Sequence, residues 1–469
     1  MPGFNIFRKA KAHVENFANK VGSRILPPRE TAQPGGGRPR PLPAELEGAL
    51  GELGAATLRQ STVQPPAGPA FPLGTAARAE IAGAGPDSLA VSQDATGVIQ
   101  WHAPHPTPAG GTEFRVWVRR RVREGREVVV KSLPQLPAGL SPREALVGLV
   151  TQVERGTKLP GIKAFPPEPL QIRDLQLVTI PAGGPAVLLI HGFFDRLFGF
   201  IFLPMFKKNK KEERLLLDFL HTRYPNRVFG YDHFTLSVDP LQNARDLLAL
   251  LPKDLELDII CHSRGGLITR ALLQHPEIRE ELSARNITIR KAVFVGAANM
   301  GTDLARPGEL PKLLTIFSTL MLKHPERDLV PKETLQAMLT LLVAAARTVL
   351  SPALNALPGV RALMPDSDCV TALNQLPVQP ETTCSFVRSD FGSGTMFPGI
   401  ELARIANTVF HGAASDLVVP FEGAASLGPA GRAPAPGNVC DLHPADECNH
   451  LEFMLRERVQ TFIRDRLEA

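Results

Sequence analysis

Residues 257–273, LDIICHSRGGLITRALL, put an apolar strand, a tight CHSRGG turn and a helical pattern in immediate succession. A chain that reverses this sharply between strand and helix needs small residues around the apex. It leaves the apical Ser263 strained and exposed, with its hydroxyl above the strand end and the following helix N-terminus beneath it. Gly265 supplies the room such packing demands. Cys261 occupies the place where the first glycine of a G-x-S-x-G turn is usual, and cysteine is small enough to keep the turn. The competing reading is an ordinary structural turn.

The surroundings say what that strand belongs to. From about 171 onward the sequence alternates QLVTI, AVLLI, a helix around 212–223, RVFGYD, a helix around 240–251, LDIIC, a helix around 265–274 and KAVFVGA. Continuous apolar strands alternating with helices predict a mostly parallel sheet covered on both faces, an α/β domain. Residues 308–364 interrupt the rhythm with Leu- and Ala-rich helical segments, and strands return near 384–389 and 405–410. An insertion there is expected over the carboxyl edge of the sheet, where active sites lie. The most apolar window, 185–206, carries His191, Asp195, Arg196 and two glycines at its centre. It reads as a buried strand running into a loop rather than a membrane span.

A nucleophilic serine needs a base, an orienting acid and two amides aimed at the developing oxyanion. VLLIHGFF at 187–194 ends a buried strand in His-Gly, which makes the amides of Phe193 and Arg264 the expected oxyanion donors. His191 reads as ordering that loop rather than as the base. In this chain order the acid and then the histidine follow the serine, each after a late strand. Asp416 in IANTVFHGAASDLVVP is the expected acid, with Glu422, Asp390 and Asp441 as substitutes. His450, just before a C-terminal helical pattern, is the expected base. His443 is its main competitor, and His411 lies too close to a strand. Cys440, His443, Cys448 and His450 also suggest a metal cluster, but the spacing matches no common zinc pattern and would consume the base. No metal and no organic cofactor is expected.

At 469 residues the chain exceeds what one core usually serves. Residues 1–26 read as a basic amphipathic helix, with Phe7, Ala10, Val14, Phe17 and Val21 on one stripe and Arg8, Lys9, Lys11, Lys20 and Arg24 elsewhere. That pattern suits contact with a membrane surface or with its own protein. Residues 27–74 read as a disordered Pro/Gly-rich linker, interrupted by a short helix around 43–59, and 75–170 as a small β-rich domain with a helix near 142–154. The net charge of +5 comes with no long Lys/Arg block, which argues against nucleic-acid binding. Five scattered cysteines and the lack of an apolar leader point to a reducing, cytoplasmic setting, peripheral to a membrane if the first helix binds lipid.

IHGF, CHSRGG, VGAANMGT at 295–302, SDLVVP and the late Asn-His pair together resemble the lipase-like branch of the α/β-hydrolase superfamily, closest to its uncharacterised bacterial members. Ala297 or Ala298 stands where that branch commonly has proline. The resemblance covers about 171–469 and implies an α/β-hydrolase fold with a helical lid at about 308–364, a triad of Ser263, Asp416 and His450, and cleavage of carboxylic esters through an acyl-enzyme. The phenylalanines at 193, 194, 198, 200, 202 and 206 suggest apolar or lipid-like acyl groups, though core packing explains many of them equally well. Two rivals stand beside this expectation: a catalytically idle fold used for partner binding, and acyl transfer or amide cleavage by the same residues.

Overall fold

The computed structural model describes residues 41–63, 76–82, 88–94, 96–102, 104–106, 112–119, 126–132, 142–157, 160–167, 176–197, 199–208, 214–346, 357–378, 381–395, 398–428 and 434–469. The expected helix over 4–26 and the two ends of the expected linker lie outside the described residues. The middle of that linker is folded. Helix α1 (Ala44–Glu52) buries Leu46, Ala49 and Leu50 and stops before Gly54, whose φ of 71° leaves the helical region. The helix expected over 43–59 is therefore shorter, and β1 (Ala56–Val63) follows it.

Next come β2 (Ala76–Ala82), β3 (Ser88–Gln93), β4 (Ile99–His102), β5 (Pro104–Pro106), β6 (Thr112–Arg119) and β7 (Arg126–Ser132). They make two antiparallel sheets rather than one, in the orders β1-β7-β3-β4 and β2-β6-β5. Helix α2 (Pro142–Thr157) leads to β8 (Gly161–Ala164). This strand leaves the small sheets and pairs antiparallel with β10 (Val228–Asp232) in the large one. The boundary expected at 170 thus falls inside the large sheet. QLVTI, expected as a strand, contributes only the single bridge Lys163↔Leu177.

The large sheet has the order β14-β13-β12-β11-β9-β10-β8 and is parallel apart from β8. Its members are β8, β9 (Pro185–Ile190), β10, β11 (Leu255–His262), β12 (Ile287–Val295), β13 (Thr383–Ser389) and β14 (Val439–Leu442). Helices α3 (Leu215–Arg223), α4 (Pro240–Leu250), α5 (Gly265–Gln274) and α6 (Pro276–Ala284) lie between these strands in the chain. Ala186, Leu188 and Ile190 of β9 pack with Ala244, Leu247 and Leu248 of α4 and Ile268 of α5, while Val187 and Leu189 pack with Leu216, Leu217 and Leu220 of α3. Both faces being covered is why these strands read as unbroken apolar runs.

Between β12 and β13 lie α7 (Leu310–Lys323), α8 (Lys332–Ala346), α9 (Pro358–Arg361) and α10 (Asp368–Gln375). Helices α11 (Gly399–Val409), α12 (Phe421–Ala424) and α13 (Glu457–Glu468) complete the chain. The strand expected at 405–410 is the end of α11. Leu402, Ala403, Ala406 and Val409 are buried on a three-and-four spacing, a helical stripe that its β-branched Ile405, Thr408 and Val409 disguise. The insertion is sandwiched, not splayed into solvent. One hydrophobic cluster joins Leu46 and Leu50 of α1, Ile99 and Trp101 of β4 and Leu146 and Val150 of α2 to α7, α8, Phe193 and Phe194. Polar bonds reinforce it: Ile99 N donates to Thr319 Oγ1 at 3.0 Å, and Trp101 Nε1 to Ser318 Oγ at 3.2 Å. Among the described residues no helix is long and apolar enough to cross a membrane.

Candidate active site

Strand β11 ends at His262 and α5 begins at Gly265, so two residues make the whole reversal. Ser263 takes φ 53°, a left-handed conformation that costs a non-glycine residue about 1–2 kcal/mol. The surroundings hold it there: its amide donates to Val295 O at 3.1 Å, and its carbonyl accepts from Gly266 N at 3.0 Å and Ala298 N at 3.1 Å. A Cβ on Gly265 would lie 2.7 Å from Ile190 O and 2.8 Å from His191 O, which is why glycine is required. Cys261 packs in the core, and burial pushes its thiol up to about 12, so it fills space as a neutral thiol.

Asp416 and His450 arrive from loops after β13 and β14. His450 Nε2 lies 2.8 Å from Ser263 Oγ, and His450 Nδ1 lies 2.7 Å from Asp416 Oδ2. A carboxylate accepts, so Nδ1 carries the proton and Nε2 is left to accept from the serine hydroxyl. The other carboxylate oxygen of Asp416 accepts from Val418 N at 2.9 Å and Val419 N at 2.7 Å, and the backbone bond from His450 N to Asp416 O is 3.0 Å. The competing residues are placed elsewhere. Asp441 and Glu422 pair with Arg388 at 2.8 and 3.0 Å, and Asp390 accepts from Gly392 N. His443 and His411 are both exposed. All five cysteines are free thiols, and among the described residues no group of three or more His, Cys, Asp or Glu side chains is arranged to hold a metal ion.

Sequence reasoning missed His262. Its Nε2 donates to His450 O at 2.9 Å, and burial together with the neighbouring His450 holds its pKa well below the ordinary imidazole value, so it is neutral. The contact spans 188 residues of chain, and nothing local announces it.

The amides of Phe193 and Arg264 donate to no backbone carbonyl among the described residues. Arg264 is the N-cap of α5, and its guanidinium turns away to Asn243 Oδ1 and Val238 O, buried enough to bring its pKa down to about 10. A Cβ on Gly192 would stand 2.6 Å from Ser263 Cβ, so the Phe193 loop presses directly against the serine. Phe317 of α7 packs on three of these residues, with ring centroids 6.0 Å from His450, 6.3 Å from Phe193 and 5.3 Å from Phe194. Ser263 is only 3% exposed. A cavity of about 760 Å³ nearby does not have Ser263 in its lining. It lies behind the His450 loop, where Asn449, Leu417, Leu320, Phe391 and Leu402 line it.

The parallel sheet with one antiparallel strand, the elbow after β11 and the helical insertion before β13 define an α/β-hydrolase fold. Residues 171–468 match the family described as Domain of unknown function (DUF7379), and the chain belongs to that family. Among solved structures it is similar to lipase 1 from Pelosinus fermentans, at 12% identity over 61% of this chain and 98% of that one, with a TM-score of 0.39. It is also similar to a thermophilic esterase from Thermogutta terrifontis, at 17% identity over 61% and 90% with a TM-score of 0.30. A third is esterase B from Lactobacillus rhamnosis, at 14% identity over 70% and 94% with a TM-score of 0.28. No curated protein matches the chain.

Proposed function

We propose that the protein is a serine hydrolase that cleaves carboxylic esters with apolar acyl groups, with Ser263 as nucleophile, His450 as general base and Asp416 as the acid that orients it. The observation that carries this reading is the pair of bonds at 2.7 and 2.8 Å converging on a serine held at φ 53°. In the forward step His450 Nε2 takes the hydroxyl proton as Oγ attacks the ester carbonyl, then returns it to the departing alcohol. The Phe193 and Arg264 amides receive the negative charge on the carbonyl oxygen. Water, deprotonated by the same His450, then frees the acid. Asp416 stays ionised and stabilises the imidazolium formed in each half-reaction.

The burial of Ser263, beside a His450 on which Phe317 packs, favours one second reading, a hydrolase fold kept for binding a partner. The test is hydrolysis of p-nitrophenyl butyrate and decanoate, with fluorophosphonate labelling, by the full chain and by Ser263→Ala. Turnover that falls on the order of 10⁴-fold in the variant, with labelling lost, is the expected result. A folded wild type that neither turns over ester nor takes up the probe would leave the partner-binding reading.

A further inference from the structure

Lys163, Asp232 and His191 form a charged row inside the protein, 2%, 1% and 0% exposed, and the mechanism above uses none of them. Lys163 Nζ donates to Asp232 Oδ2 at 2.7 Å. Asp232 Oδ1 lies 3.0 Å from His191 Nε2, a contact that binds only in the imidazolium. There Nε2 carries a proton for the carboxylate, and the His233 amide 3.3 Å away is no hydrogen-bond donor to it. The His191 ring stacks on His233 with centroids 4.1 Å apart. At the far end, His191 Nδ1 lies 2.9 Å from Gly192 O. A carbonyl oxygen only accepts, so Nδ1 is the donor.

Two features make this more than a compensated ion pair. Withdrawing ions from water costs several kcal/mol each, and apolar side chains of similar volume commonly do as well, so stability alone does not explain the row. The row also ends on a particular peptide plane. Gly192 C=O and Phe193 N–H belong to one planar unit and point in opposite directions, so fixing the carbonyl aims the N–H. That N–H is the proposed oxyanion donor. The next residue, Phe194, is held at φ 54°, a conformation its own side chain disfavours and the loop has to be made to keep. A hydrogen bond into the carbonyl also polarises the plane and strengthens its N–H as a donor.

Resting on the hydrolase reading, we propose that Lys163, Asp232 and His191 are positioning residues that aim the Phe193 amide at the substrate oxygen. Strand β8, which carries Lys163 and lies upstream of the family-matched residues 171–468, is then part of the working site.

The test uses the full chain and p-nitrophenyl butyrate, with kcat, KM and Tm measured for each variant. His191→Leu removes the donor and should lower kcat on the order of 100-fold while KM moves by no more than about twofold, the pattern of an interaction made in the transition state. His191→Asn offers an amide N–H near the place of Nδ1 and should recover at least about tenfold of that loss. Because Lys163→Met alone strands a buried carboxylate, the charge-balanced Lys163→Met/Asp232→Asn variant is the control for folding. It should keep a Tm within a few degrees of wild type yet lose about tenfold in kcat. A merely structural row would give wild-type kcat in the balanced variant, and wild-type kcat in His191→Leu would equally overturn the relay. Both outcomes leave an active wild type and the hydrolase reading intact. A wild type inert to ester and probe alike overturns both.

Discussion

Truncating Phe317 to alanine should make the protein less stable and its serine more reactive. Phe317 is 1% exposed, and its ring meets Phe193, Phe194 and His450. A buried Phe→Ala change costs about 3–5 kcal/mol of global stability. If reagents reach Ser263 by a movement of α7 away from the site, the contacts of Phe317 across that boundary oppose the movement, and aromatic pairs of this kind contribute about 0.5–1.5 kcal/mol each. Removing the pairs with Phe193 and Phe194 therefore shifts opening by about 2 kcal/mol, which is about 30-fold in the open population. With opening fast and the open form rare, the second-order rate of fluorophosphonate labelling scales with that population. The expected outcome in Phe317→Ala is thus a lower Tm with labelling on the order of 10–30-fold faster, two changes of opposite sign. Folded Phe317→Ala that labels no faster than wild type would show that reagents reach Ser263 by a path that does not pass α7.

The acid limb of stability should follow two buried histidines. Burial holds His324 down to about 4, and burial with the nearby His450 holds His262 well below its ordinary value, whereas unfolding restores both to about 6.5. The unfolded chain takes up protons first as pH falls, so this stabilisation is full above about pH 6.5 and is lost from there toward pH 4. Urea midpoints should be lower at pH 5 than at pH 7, with a smaller difference in His324→Gln; equal midpoints would refute the assignment. Glu154 of α2 accepts from Thr235 N, Leu236 N and Ser237 N at 2.7, 2.9 and 2.8 Å, tying the upstream helix to the loop after β10. Glu154→Gln sets an amide donor against one of those N–H groups and should cost about 2–3 kcal/mol in urea denaturation, an effect absent if α2 is only loosely attached.

The features legible in the sequence are those whose cause is local. β9 announces itself because burial on both faces leaves it wholly apolar, β11 and β12 by the apolar runs Ile259–Cys261 and Ala292–Val295 in their second halves, and the elbow because strand, turn and helix adjoin within 257–273. Chain order alone pointed to Asp416 and His450, and the fold brings both within hydrogen-bond reach of the expected partners. The illegible features depend on distant groups. Lys163 looks like a surface residue in a four-residue strand until Asp232, 69 positions on, is placed beside it. Leu46 and Leu50 read as part of a short helix inside a linker with no core of its own, and become core only because α7 and α8 supply the other side. The end of α11 reads as a strand because Ile405, Thr408 and Val409 gather there, although only Val409 of them belongs to the buried stripe.

The pairing of β8 with β10 also bears on how much of this chain is a self-sufficient body. From Phe229 to Tyr231 the backbone of β10 is matched on one side by β9 and on the other by Ala164 to Ile162 of β8. A polypeptide beginning at the family boundary, residue 171, would present that second side as an open row of N–H and C=O groups on an apolar strand. Such a margin is a template for pairing with other chains. The short antiparallel strand therefore acts as a selvedge, taking the edge position from the apolar β10, and a fragment that starts at Gly161 or earlier is expected to stay monomeric where one starting at 171 does not.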